Sequence, residues 1–189
     1  GKPVVRYILW THSFIPTSDK LREHIIKDKM PYDAWERLGY LTLTNTPIVD
    51  QNFVMQYVLD ECEKYNLDIQ CLCFDPANAS KIMMDLSDQG YTVEEVYQSH
   101  KSLNESTQGF REQVFAGNVV YTHNPLLNYA MSNAVIRTSN GLIKIDKDAN
   151  TKRIDPVDAT LAAFKLALYH DFEGENLNDY VARFLEENT

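Results

Sequence analysis

Short apolar runs rich in β-forming residues alternate along this sequence with stretches of helical spacing, and that alternation constrains the fold more than any other feature. Residues 4–10 (Val-Val-Arg-Tyr-Ile-Leu-Trp) read as a strand, and Pro16 stops the run. Ser18 can cap a short helix over Asp19–Asp28, in which Leu21, Ile25 and Ile26 are apolar. Aromatic anchors at Tyr32, Trp35 and Tyr40 lead into a short strand at Leu41–Leu43. Asp50 is placed to cap a helix carrying Phe53, Val54, Tyr57, Val58 and Cys62 at helical spacing. The apolar run Asp68–Phe74 then reads as a strand, and the helix after Asp75-Pro76 buries Ile82, Met83 and Leu86 and stops at Gly90. Tyr91–Val96 and Val119–Tyr121 are further strands, and Glu105–Ala116 and Pro125–Ser132 are helices. Ser139-Asn-Gly141 between Ala134–Thr138 and Leu142–Ile145 is a strong hairpin signal. Asp146–Arg153 reads as an exposed loop, Asp155-Pro156 opens another helix, and Leu177–Leu185 is an amphipathic segment. Strands alternating with helices, followed by a hairpin, predict an α/β fold with a mixed sheet.

The 189 residues contain no repeat and no linker-like stretch, so one domain over 1–189 is expected, with 171–189 as a C-terminal helical extension. Hydrophobic residues at 44% supply a sizeable core. No apolar run approaches the ~18–20 residues of a membrane span, so no membrane partner is expected. Residues 1–16 lack the pattern of a signal peptide. Cys62, Cys71 and Cys73 form neither a disulfide framework nor CxxC zinc pairs, and a reduced, cytosolic setting is the expectation. The formal net charge of −9 argues against binding nucleic acid by bulk attraction. A nucleic-acid function would need a local basic patch or cations held by carboxylates.

Three places could carry such chemistry. Asp75 directly follows a buried strand, at the end where α/β sheets gather ligands, though capping the next helix is an equally physical role. Asp155 and Asp158 fall at the N-cap and third position of one helix, with Pro156 between them. They could hold hard divalent cations or simply complement the helix dipole. Lys144, Lys147, Lys152 and Arg153 lie just upstream and read either as a phosphate-contacting loop or as a solvated one. The histidines show no metal-ligand spacing. Neither a GxxxxGK[ST] loop nor a GxSxG elbow is present.

The segments Met30–Thr44, Val49-Asp50, Phe74-Asp-Pro-Ala-Asn-Ala79, Gln98–Leu103, Thr122–Leu126, Ser132–Thr138, Ile143–Lys147 and Arg153–Ala159 occur in a distinctive order. In that order and spacing, across roughly residues 7–169, the chain resembles the nuclease domain of the terminase large subunit of tailed bacteriophages. The resemblance implies an RNase H-like fold with a mixed central β-sheet flanked by helices. It also implies a metal-dependent endonuclease that uses Mg²⁺ or Mn²⁺, as two ions, to cut concatemeric double-stranded phage DNA during genome packaging in the host cytoplasm. Implied partners are the terminase ATPase domain, the small terminase subunit and the portal protein. Asp75 matches the family's acid at the end of a central strand, Asp155 the acid opening the late helix, and Lys147 a recurrent lysine before that helix. Asp158 is a further candidate ligand, and Lys144, Lys147, Lys152 and Arg153 are the expected DNA contacts. The family's first catalytic Asp, on its first β-strand, is expected upstream of the segment resembled by Gly1–Pro16, which contains no acid. Two other readings stay open: an inactive docking module of the packaging motor, and an RNase H-like resolvase or RNase acting on another substrate.

Overall fold

The computed structural model describes residues 5–77, 79–147 and 152–170. Its elements run β1 (Tyr7–Leu9), β2 (Ser13–Ile15), α1 (Ser18–Asp28), α2 (Tyr32–Arg37), β3 (Leu41–Leu43), α3 (Gln51–Lys64), β4 (Leu72–Phe74) and α4 (Ser80–Asp88). They continue with β5 (Val93–Glu95), α5 (His100–Phe115), β6 (Val119–Tyr121), α6 (Pro125–Ser132), β7 (Ala134–Ser139), β8 (Leu142–Lys147) and α7 (Asp155–Ala167). The class is α/β, as expected. The predicted extension over 171–189 lies outside the described residues.

The expected single mixed sheet is not what these residues form. They pair as four two-stranded ladders: β1 with β6, β2 with β3 and β4 with β5 are parallel, and β7 with β8 is antiparallel. The parallel strands are three residues long, and each finds one partner among the described residues. Short strands bury little surface of their own, so the ladders are held in place by helices. Around α7, Leu161 and Phe164 cluster with Val96, Leu103 and Phe110, with Cys73, Val119 and Ile145 packed against them. A second cluster gathers Ile15, Leu21, Tyr32, Trp35, Leu41 and Leu126, and a third joins Met55, Ala79, Ile82 and Leu86. No described helix is long and apolar enough to cross a membrane.

Local chemistry explains the element ends. The Asp50 carboxylate accepts hydrogen bonds from the amides of Asn52 and Phe53, and the Asn124 side chain accepts from those of Leu126 and Leu127. Thr17, rather than Ser18, caps α1. In the β7–β8 hairpin, Asn140 and Gly141 both take positive φ (50° and 76°), the requirement of a tight two-residue turn that matches strand twist.

α5 and α7 approach closely at Gly109. A Cβ placed there would lie 2.9 Å from Leu168 Cδ2 and 3.5 Å from Phe164 Cε1. Leu168 Cδ2 is the end of a flexible side chain, so Gly109→Ala is expected to be nearly neutral once its helix-propensity gain is counted. Gly109→Val is expected to cost about 1–3 kcal/mol by overpacking, a fall of roughly 2–10 °C in Tm by calorimetry. A neutral valine variant would show that α7 yields at this contact.

Candidate active site

The start of α7 sits one residue earlier than the sequence predicts. Ile154 is the N-cap, and its carbonyl accepts from the amides of Val157 (2.7 Å) and Asp158 (3.0 Å). Asp155 therefore opens the helix itself, exposed and making no capping hydrogen bond. Ile154 is the anchor instead, buried with Ala130 and Val157. This apolar cap leaves Asp155 free for other chemistry, while one helical turn keeps Asp158 nearby on the half-buried side.

Asp155 and Asp158 line a polar cleft of about 320 Å³. The same cleft is lined by Lys144, Asp146 and Lys147 from β8, by Lys152 and Arg153 from the segment before α7, and by Lys27 of α1 and Gln98. The four basic residues predicted as a patch thus do converge with the Asp155–Asp158 pair. Lys147, expected in a loop, is the last residue of β8.

Three lining residues escape the sequence reading. Asp146 falls in the stretch that reads as an exposed loop but lies on β8. Its place two residues after Lys144 on one strand puts both on the same side of the pleat, and they pair at 3.3 Å. Lys27 reaches the cleft only through tertiary folding, and no sequence signal marks it; Gln98 opens one of the segments that carry the family resemblance, but with no role attached to it.

Asp75 stands apart. It follows β4, is exposed, and its Oδ1 accepts from the amide of Ala77 at 3.0 Å. The helix beyond begins at Ser80 with Ala79 as N-cap, so Asp75 does not cap it. Asp75 does not line the cleft, although its charge is felt within it.

Electrostatics show how crowded the acids are. Burial pushes the Asp158 carboxyl up to about 6, with Asp155, Asp146 and Asp75 pushing the same way and Lys144 opposing. Burial also works against ionised Asp146, but the Lys147 amide and the Lys144 ammonium together hold it below the usual carboxylate range. Acid oxygens with unspent negative potential are suited to hard divalent cations, which take oxygen ligands and complete their shells with water and phosphate. Among the described residues no group of three or more His, Cys, Asp or Glu is placed to hold a metal ion. The donor set therefore fits such a cation in chemistry and is incomplete as a cage.

Comparison with known proteins gives this arrangement its context. The family model "Terminase large subunit, endonuclease domain" matches residues 5–171, a span that includes the whole cleft. The chain belongs to that family. As a terminase nuclease domain it is 26% identical over 167 residues to "Terminase, large subunit" of Enterobacteria phage HK97, covering 86% of this chain and 33% of that protein. It also superposes on the crystal structure of the HK97 bacteriophage large terminase with a TM-score of 0.70 at 26% identity. That match covers 81% of this chain and 32% of the other. The chain thus spans about a third of the length of the relatives it matches. Membership in this nuclease family does not favour the reading as an inactive docking module.

Proposed function

We propose that this terminase nuclease domain is a metal-dependent endodeoxyribonuclease of RNase H-like fold that cuts concatemeric viral DNA during genome packaging in the host cytoplasm. The observation that carries this reading is the cleft itself, where Asp155, Asp158 and Asp146 face Lys27, Lys144, Lys147, Lys152 and Arg153 within a chain of this family. Asp155 and Asp158 would hold Mg²⁺ or Mn²⁺, two ions in the full site, with Asp75 as a further ligand from the end of β4. When bound, the cation supplies Lewis-acid polarisation of the phosphodiester. The protein's own part is to bind and orient. The basic side chains bracket the acids and would seat the DNA backbone, offsetting locally a surface whose overall charge is unfavourable for DNA. A further carboxylate would complete the ligand set. Double-stranded DNA, the ATPase domain, the small subunit and the portal protein are the proposed partners.

The test is nicking of supercoiled plasmid in Mn²⁺, with an EDTA control, by the wild type, by Asp75→Asn, and by both forms extended upstream. We expect Mn²⁺-dependent nicking that EDTA abolishes and Asp75→Asn reduces by about 10²-fold or more. Activity confined to the extended forms would place the missing ligand upstream. Nicking that persists in EDTA would overturn the assignment, and nicking undiminished in every form carrying Asp75→Asn would remove Asp75 from the ligand set.

A further inference from the structure

Asp28 is the last residue of α1, and its side chain is fully buried, with 0% exposed. A buried carboxylate needs partners. Its Oδ2 accepts from Arg153 Nε at 2.6 Å and from Tyr32 Oη at 2.8 Å. Its Oδ1 is buried without a hydrogen-bond partner among the described residues. A buried pair with one oxygen unsatisfied is a weak stabilising device, because apolar side chains of similar shape hold two elements together as well or better.

Orientation is the stronger account. Engaging the guanidinium through Nε fixes its plane and leaves the two Nη groups on the opposite edge, the fork that suits phosphate. Nε makes the guanidinium's hydrogen bond among the described residues, the side chain is 30% exposed, and Arg153 stands where the polar cleft meets the neighbouring cavity lined by Tyr32 and His24, with Asp155 bordering both. The backbone is held too: the Arg153 carbonyl accepts from Asn133 Nδ2 at 3.1 Å, and Ile154 is buried.

We infer that Asp28, backed by Tyr32, is a positioning residue that aims the Arg153 guanidinium into the acid-lined cleft to grip a phosphate of the DNA backbone. The inference rests on the nuclease reading and adds to it a residue from the opposite end of the chain.

Binding of a short labelled DNA duplex, followed by fluorescence anisotropy in EDTA across a salt series, tests it. The proteins are the wild type, Asp28→Asn, Tyr32→Phe, Arg153→Lys and the Asp28→Asn/Arg153→Lys double variant. Asp28→Asn removes a negative charge, so bulk electrostatics alone would tighten binding. Loss of aim predicts the opposite, a weakening of about 3- to 10-fold with the salt slope reduced by about 1, as for one lost phosphate contact. Arg153→Lys is expected to do the same, and the double variant no more than either single change. Tyr32→Phe, which keeps the charge, is expected to move binding and slope the same way by less. Should Asp28→Asn not fold, Tyr32→Phe decides: a reduced slope supports the inference and an unchanged slope overturns it. An unchanged or tighter Asp28→Asn, or effects that multiply in the double variant, also overturns it while leaving the nuclease reading intact. No duplex binding by the wild type in EDTA, even at low salt, overturns the inference, while the nuclease reading stands or falls on the Mn²⁺ nicking assay.

Discussion

Asp158→Asn is expected to remove Mn²⁺-dependent nicking by about 10²-fold or more and at the same time to raise the melting temperature in EDTA. The two effects have one origin. Burial and three neighbouring acids push the Asp158 carboxyl up to about 6, so the folded state resists its ionisation. In the unfolded chain the group titrates near its ordinary value of about 4. The penalty is therefore absent below about pH 4, grows as pH rises through the interval, and is complete above about pH 6. Discounted for partial exposure it amounts to about 1–2 kcal/mol, or roughly 2–6 °C in Tm. In EDTA the wild type should melt higher at pH 5 than at pH 7.5, and Asp158→Asn should flatten that difference. Added Mn²⁺ should stabilise the wild type at neutral pH and do less for the variant. A wild type whose Tm is indifferent to both pH and Mn²⁺ would show that the acids do not strain one another.

Leu161→Ala is expected to be the most damaging single change outside the cleft. Leu161 is 0% exposed and lies in the cluster that joins α7 to α5 and to Cys73 of β4. Truncation leaves a cavity and costs about 2–5 kcal/mol, a fall of roughly 4–20 °C in Tm. Because α7 also carries Asp155 and Asp158, nicking should fall with the folded fraction on warming. Calorimetry alongside activity at two temperatures checks this. A small Tm change would mean that Phe110 and Phe164 close over the gap.

Much of the scaffold was legible because its signals are local. Asp50 and Asn124 cap as their side-chain chemistry dictates, and Asn140-Gly141 turns the hairpin. The class, the convergence of the basic run with Asp155 and Asp158, and the family likeness were readable too. What was not legible is tertiary. The β4 and β5 strands are shorter than their apolar runs, because pairing extends over only three residues. The α7 boundary slipped by one because an apolar residue, Ile154, takes the cap position that Asp155 seemed made for. Arg153 reads as one of four basic DNA contacts, with no sign of what holds it in place. Its buried partner lies 125 residues away, and nothing about Asp28 at the end of a polar helix distinguishes it from a solvated acid.

That separation bears on the order in which the molecule matures. Closing so long a loop costs conformational entropy that only later contacts repay, so the Asp28–Arg153 tie belongs among the late events of folding. During synthesis α1 emerges long before the segment that completes the cleft, and until then Asp28 lacks its arginine partner. A chain halted before residue 153 has neither the cleft acids at the start of α7 nor the arginine. Assembly of the cleft is thereby deferred until the segment around residue 153 has been made.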